Sequence, residues 1–533
     1  MDNEVEMRLE TNGERSRAKP SPERTSAGAW SDSAVLAIGS GPLLIALGES
    51  LLQAGFANCR LAIDGMEPTD RTRLGRLAQE ARRMGFAFDW EDIRVRREDI
   101  ERWRETVRPY EAIVYVSRSG DAEALRTLEA ACRHENKTLL PAIVAGTAGL
   151  AGPLIEPGTE GGWESAWRQV HESALGSERL PHRLTVDEAS LLANAIALEL
   201  AKAIGGTEQP MLRHALFVLD LASCIGGIHP VRPHLPASGF PGIERIDPLQ
   251  PMLEANPPAL DPLRLLARFE ELTSAVTGIF HIWEEGDLKQ LPLALCRVQP
   301  VDPRSEGPAR LLPDMVCPAF THSEARRDAG LAGIEAYAAR MSDRLAEWPP
   351  DAIVGIGAGE TYVEAICRGL QKALNGELER KVAEGIPRPG QAPALPLLDL
   401  RSAYYWRALL AMRESATIAT AEKELFGFPV AQVVCGGDRF VGTGLNATLA
   451  MRQALLRALL HGQLGANERT LGAPPIDFYE LEEASLAELL GSAVSALECN
   501  RMRLGVFEWP LALWGDKRPI RVVVTMLQGV EEP

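Results

Sequence analysis

The run Ala34–Gly39, AVLAIG, constrains this chain more than any other stretch. Six consecutive apolar or small residues suit a strand buried on both faces, which requires a sheet covered by helices on each side. Gly39-Ser40-Gly41-Pro42 breaks the run, and LLIALGESLLQAGF continues with helical periodicity, with Gly55 near its end. CRLAID follows as a second apolar run that closes a strand–helix–strand unit and leaves Asp64 at its tip. A charged helix around Arg71–Arg83, a third strand AIVYVS, a helix over 121–134 and a further strand LLPAIVAG continue the alternation. That rhythm predicts an α/β fold with a doubly wound, Rossmann-type parallel sheet. Helical pattern resumes over 186–203 and 211–224.

The flanks of this unit differ in character. Residues 1–31 are polar and are expected to form a disordered tail before a Rossmann domain over 32–238. A Pro- and Gly-rich stretch between His229 and Pro262 marks a boundary, with a linker over 239–262. Residues 263–533 mix strands and helices without a βαβ rhythm, so an α+β domain is expected there. Its clearest helices lie near 324–345, 362–375 and 448–464, and AIVGIG, PVAQVVC and IRVVVTM read as strands. No internal repeat of solenoid period is present. A chain of 533 residues has the length of about three to four average domains.

Charge narrows the function. With 56 basic and 73 acidic residues the net charge is -17, which disfavours a phosphate-reading nucleic-acid binder and an anionic membrane surface. The eight cysteines form no CxxC pair, as expected of buried free thiols in a reducing compartment. No apolar core of a secretory signal opens the chain, and no uncharged run is long enough to span a bilayer. A cytoplasmic protein is expected.

Gly39-Ser40-Gly41 lies between a buried strand and a helix, where backbone N–H groups and the helix dipole can hold an anion. Asp64 stands where a carboxylate can accept ribose hydroxyls. The third glycine of G-x-G-x-x-G is replaced by Leu44, which favours a purely geometric role for the turn. EPTDRTRL after Asp64, the strand AIVYVS, Cys132 in the next helix and VAGTAGLAGPLIEPG follow in one order. That order resembles the ThiF-like adenylating proteins, which attach AMP to a protein's terminal carboxylate. The resemblance implies a ribose-binding Asp64, a phosphate-contacting Arg73 and a glycine-rich loop at Gly39 and Gly41. Where the family has a magnesium-binding Asp the chain reads Ser117-Arg118-Ser119-Gly120-Asp121, so that only Asp121, one position off, is available. The zinc-binding cysteine pairs of many relatives are absent, with GWESA where the first would be. Loss of that carboxylate removes a large electrostatic contribution to adenyl transfer, so the implied nucleotide site is vestigial.

Three stretches of the second half resemble the YcaO family, ATP-dependent enzymes that cyclise Cys, Ser and Thr side chains of peptides into azolines. They are HSEARRDAGLAGIEAYAARM, GIGAGETYVEAICRGLQKALNGEL, and FPVAQVV with GTGLNATLAMRQALLRALLHGQ. In that family glutamates on these helices hold ATP and magnesium. Here Glu335 remains, while Asp328, Ala332 and Ala336 replace the Ser, Glu and Arg expected in the first stretch. Lys372 and Asn375 stand for glutamates in the second, and His461 in the third. A lysine cannot ligate magnesium, so this site too is expected to be vestigial, with no cofactor.

The fusion of two such folds, with VLAIGSGP, EPTDRTRL, GWESAWRQVH and GFPVAQVVCGGDRFVGTGLNATLAMRQAL, resembles the thiazole-containing bacteriocin maturation proteins over roughly residues 31–530. These are ThiF-like partners encoded beside a YcaO cyclodehydratase. The resemblance implies a non-catalytic component, without catalytic residues or metal of its own, that binds a precursor peptide and presents it to that enzyme. A homodimer through the Rossmann half is implied as well. Family members usually begin with a winged-helix module that grips the leader, whereas a polar stretch precedes Ala34 here. Leader binding is therefore expected on another surface or a separate protein. The alternative is an active ATP-dependent adenylating enzyme using Asp64, Arg73 and Asp121. A dinucleotide-binding oxidoreductase is a weaker third reading, because no acid/base set is visible in a substrate domain. Simpler roles are expected for His229 and His234 (a proline-rich loop), Asp438-Arg439 (a turn), and Cys132 (an apolar helix position). Trp163 and Trp167, one helical turn apart, suit core or interface packing as well as a peptide groove.

Overall fold

A computed structural model of the chain describes residues 33–94, 96, 98–118, 121–176, 184–206, 208–233, 242–246, 261–342, 348–385, 399–413, 415–420, 425–465, 478, 483–511, 513–516 and 519–530. The polar stretch 1–31, the motif residues Ser119 and Gly120, His234 and most of the Pro-rich linker lie outside the described residues. Two compact units are present. The first takes the described residues up to 233 together with Glu306–Ala309, and the second takes the rest.

The first unit is built on one eight-stranded sheet in the order β3-β2-β1-β4-β5-β6-β7-β8. Its strands are β1 (Ala34–Gly39), β2 (Asn58–Ile63), β3 (Ala87–Asp92), β4 (Ala112–Ser117), β5 (Thr138–Ala145), β6 (Ala148–Ala151), β7 (Ala215–Asp220) and β8 (Ile225–Pro230). Helices α1 (Gly41–Gln53), α2 (Arg71–Arg83), α3 (Ile100–Val107), α4 (Ala122–His134), α5 (Trp163–Trp167) and α6 (Val186–Gly205) accompany it. β3 to β5 run parallel, and β6 to β8 add an antiparallel meander. Val35 and Ala37 enter the core shared with α1, α2 and α6, while Leu36 and Ile38, facing the opposite way, are equally buried. AVLAIG is therefore apolar throughout because both of its faces are covered.

Local chemistry fixes the helix ends. Thr185 and Glu188 form a capping box at α6, and Gly206 ends that helix in the left-handed conformation. Asp70 caps α2 by accepting from the Thr72 and Arg73 N–H groups. Trp163 stacks on Trp167 with ring centroids 5.7 Å apart, with Trp163 fully buried and Trp167 half-buried. Gly307 returns from later in the chain to lie against Trp167, where a Cβ would come within 2.3 Å of the ring.

Two sequence expectations are corrected here. The segment 211–224 is not a helix: a 3-10 turn, Met211–His214, leads into β7 and a tight turn to β8. LFVLD is apolar because it is an internal strand of the sheet. AIVYVS is the fourth strand, since β3 and α3 intervene after α2. β3 escapes apolar pattern reading because only Phe88 of AFDWED is buried.

The second unit is α+β. Its elements are β9 (Glu244–Arg245), α7 (Pro262–Glu270), β10 (Phe280–Glu284), β11 (Ala294–Pro300), β12 (Met315–Ala319), α8 (His322–Ala339), β13 (Ile353–Gly359), α9 (Tyr362–Ala383), α10 (Leu400–Met412), β14 (Ala416–Thr420), β15 (Val430–Cys435), β16 (Asp438–Thr443), α11 (Ala447–Leu464), α12 (Glu483–Cys499), β17 (Met502–Glu508), β18 (Leu513–Asp516) and β19 (Arg521–Gly529). Among the described strands they form antiparallel sheets β10-β11-β12, β13-β19-β17-β9 and β14-β15-β16. α9 packs so closely on β13 that a Cβ at Gly357 would lie 1.9 Å from the Ala365 carbonyl oxygen. The glycines of GIGAG thus serve helix–strand contact. Gly436 and Gly437 form the hairpin turn of β15 and β16, with Asp438 and Arg439 exposed beside it.

All eight cysteines are free, and six are buried. Burial pushes the Cys59 thiol up to about 12 and raises that of Cys132 further, so neither supplies a thiolate near neutral pH. Among the described residues no helix is long and apolar enough to cross a membrane.

Candidate functional site

The sequence points to two places, one in each unit, and each is described by itself. In the first unit, Gly39, Gly41 and Asp64 meet at the carboxyl end of the parallel strands, with the Asp64 N–H donating to the Gly39 carbonyl at 3.0 Å. A Cβ at Gly39 would stand 2.3 Å from the Val116 carbonyl oxygen, so glycine is required there by β4. Gly41 has φ of 71°, and a Cβ on it would meet the Glu67 carboxylate at 2.3 Å. The loop that carries Glu67 is tied to the turn at two points. The Glu67 N–H donates to Ser40 Oγ at 3.0 Å, and the Gly41 N–H donates to Thr69 Oγ1 at 2.8 Å. Arg118 Nε in turn donates to the Glu67 carboxylate. The start of α1, where a ligand phosphate would profit from N–H groups and dipole, already has the protein's own acid beside it.

The remaining predicted residues of this unit are engaged locally. Asp64 Oδ1 accepts from the Met66 N–H at 3.1 Å. Arg73 turns to α1 and forms a two-pronged pair with Glu49 at 2.8 and 2.9 Å. Asp121 caps α4 through the Ala124 N–H at 3.1 Å. The structure therefore brings Gly39, Gly41 and Asp64 together and holds Arg73 and Asp121 as structural partners of other groups. Glu67, Thr69 and Arg118 are the residues that sequence reasoning passed over. Glu67 lies within the quoted EPTDRTRL, but nothing in that string says which way its carboxylate turns.

In the second unit, Glu335 is completely buried on α8. Arg368 of α9 donates to it through Nε at 2.7 Å, and Lys372 lies 2.8 Å from its other oxygen. The Ala358 N–H also donates to it, at 3.0 Å. Burial alone would raise the Glu335 carboxyl, but Arg368 and then Lys372 overcome this and hold it below the usual range. Arg368 reaches Asp328 as well, at 3.2 Å. One turn away the pattern repeats, with Arg327 between Glu360 at 2.9 Å and Glu364 at 2.8 Å. Arg401 of α10 grips both oxygens of Glu324 at 2.9 Å.

Glu324 and Glu364 also have a local purpose. Each is the third residue of its helix, following a capping Thr321 or Thr361 whose hydroxyl accepts from the glutamate N–H. Each carboxylate accepts in return from a backbone N–H just before the helix, of Phe320 or Glu360. Asn375 accepts from Gln371 at 3.1 Å, and His461 packs against Phe440 with centroids 5.2 Å apart. Among the described residues no group of three or more His, Cys, Asp or Glu side chains is arranged to hold a metal ion. His229 lies on β8, and burial lowers its imidazole pKa.

No family model and no curated protein sequence matches this chain. Solved structures do. A heterocyclase in complex with substrate and cofactor superposes with a TM-score of 0.56 at 13% identity, covering 94% of this chain and 81% of that one. The chain shares the fold of a heterocyclase. The heterocyclase TruD gives a TM-score of 0.47 at 13% identity over 94% of this chain and 80% of its own. E. coli MccB with ATP gives 0.30 at 16% identity over 38% and 64%. The α/β class expected from the sequence, a Rossmann-type sheet followed by an α+β region, is the class found.

Proposed function

We propose that this chain is a non-catalytic partner in the maturation of a thiazole- or oxazole-modified peptide, binding or presenting the precursor to a YcaO cyclodehydratase. The observation that carries the reading is the internal neutralisation of both nucleotide-like places. Glu67 stands against the start of α1, and Arg368 and Lys372 stand against Glu335. A magnesium-bound triphosphate needs oxygen donors for the metal and free donors for the phosphates. Here the oxygens are already paired with cations and the first helical N–H is already bonded. The shared fold with a heterocyclase over most of the chain supports placing it in the same chemistry, as do the three YcaO-like stretches.

The test is the mass of the precursor peptide after incubation with ATP, using this chain, a YcaO cyclodehydratase, and both together. Loss of water that is fast only with both present is expected. Equal loss with the YcaO enzyme alone overturns the partner role. Loss of water, or an adenylated peptide, with this chain alone would establish the alternative, an active ATP-dependent enzyme.

A further inference from the structure

Two of the eight free cysteines face each other. Cys296 on β11 and Cys317 on β12 are directly opposed in the antiparallel register, and both are buried. Opposed residues of antiparallel strands have Cα atoms about 4.5–5.5 Å apart and side chains on one face, within the range of about 4.4–6.8 Å that a disulfide spans. None of the other six stands opposite a cysteine in a strand pairing. Cys59 lies between Val35 and Phe88, and Cys435 between Ala416 and Asp438. Cys132, Cys367 and Cys499 are on helices, and Cys224 is in a turn. Val298, which projects to the same face as Cys296, packs against Gly333 of α8, so the two thiols lie between their sheet and that helix.

The pairing continues past the cysteines as one long hairpin. The Leu312 N–H donates to the Pro300 carbonyl at 2.9 Å, Val301 bridges to Leu311, and the Asp302 N–H donates to the Arg310 carbonyl at 2.7 Å. Glu306–Ala309, at the tip, belong to the first unit. The cysteines therefore stand on the two legs of a hairpin whose tip completes that unit.

We propose that Cys296 and Cys317 are an oxidation site, a dithiol that hydrogen peroxide converts to a cross-strand disulfide, stapling this hairpin. One sulfur attacks the peroxide: an S–O bond forms, the O–O bond breaks, and water leaves with the thiol proton. The second sulfur then attacks the sulfenic sulfur, the S–S bond forms, and the S–O bond breaks with release of a second water that carries off the second thiol proton. The two sulfurs give up two electrons, and one peroxide is reduced to two waters. Burial pushes the Cys296 thiol up to about 12 and raises that of Cys317 as well. The pair is protonated near neutral pH and reacts when β12, which pairs only with β11 among the described strands, lifts from it. The staple thus forms slowly, under sustained oxidation. It stands whether or not the chain is the partner of a cyclodehydratase.

In the experiment the full chain is treated with hydrogen peroxide, alkylated in denaturant and digested with trypsin. Cys296 and Cys317 fall in separate peptides, 290–297 and 311–326, neither with a second cysteine. The expected product is a linked pair lighter by two hydrogens than the two reduced peptides together, reversed by dithiothreitol. It should form more slowly than exposed Cys224 and Cys499 are oxidised. In the oxidised chain the Asp302 and Leu312 amides should exchange with deuterium several-fold more slowly than in the reduced chain. Cys296→Ala can form no link, so peroxide should leave its exchange unchanged, which separates the staple from methionine oxidation. Should that variant fail to fold, the linked peptide of the wild type decides alone. Recovery of both peptides alkylated after Cys224 and Cys499 have reacted overturns the proposal. So does a link from either cysteine to any other, or their conversion to sulfinic acids. A link that leaves the Asp302 and Leu312 exchange unchanged overturns the stapling of the hairpin.

Discussion

The two units fill comparable places with opposite charges. In the first, a carboxylate, Glu67, rests against glycines at the start of α1 and is met by Arg118. In the second, guanidinium and ammonium groups sit among the carboxylates of α8 and α9. Burial separates the cases. Glu67 and Arg118 keep some contact with solvent, whereas Glu335 and Arg368 have almost none. An ion pair near water contributes little and separates cheaply, while a buried one is held because an unpaired charge in its place is severely penalised. The first place is therefore closed by a weak latch and the second by a permanent part of the core.

The largest effect is expected from Arg368→Met, which leaves Glu335 and Asp328 buried without their guanidinium. Unfolding of the second unit in urea should shift by about 3–5 kcal/mol. Joining it with Glu335→Leu should recover much of the loss, and a silent single variant would break the contrast. Next comes acid. Glu335 has its folded pKa depressed, so its contribution is present above the unfolded value near 4.3 and fades as pH falls through the lower folded value. Wild-type stability should fall below about pH 5, and Glu335→Gln should flatten that part of the profile. Glu67→Ala is expected to be milder, near 1 kcal/mol by thermal melt. Calorimetry with pyrophosphate should show binding in that variant and none in the wild type, because the acid no longer repels the anion. Arg73→Ala removes only the half-exposed pair with Glu49 and should change stability by less than about 0.5 kcal/mol.

The elements best read from the sequence are those whose residues all meet the core. AVLAIG, AIVYVS and LLPAIVAG are buried nearly end to end, so hydrophobicity alone reveals them. AFDWED was invisible to that test, and LFVLD was ambiguous because a short apolar run fits either period. At the candidate sites the glycine turn and Glu335 were legible as residue types. Their partners were not. Spacing along α9 suggests that Arg368 pairs with Glu364 one turn earlier, yet helix packing sends it across to α8. Glu67 likewise takes its direction from the ties of its loop to the glycine turn, its own N–H to Ser40 and the Gly41 N–H to Thr69, which link residues far apart in the chain.

The short return of Glu306–Ala309 into the first unit has a bearing on how the protein is made. Ala309 bridges to His171, donates to the Val170 carbonyl and accepts from the Glu172 N–H, while Gly307 closes over Trp167. A ribosome that has finished the eight strands must still add nearly 80 residues before this piece is complete, on the order of 4–16 s of synthesis. During that interval Trp167 lacks the backbone that Gly307 later lays against its ring, so the first unit is completed only after part of the second has been made.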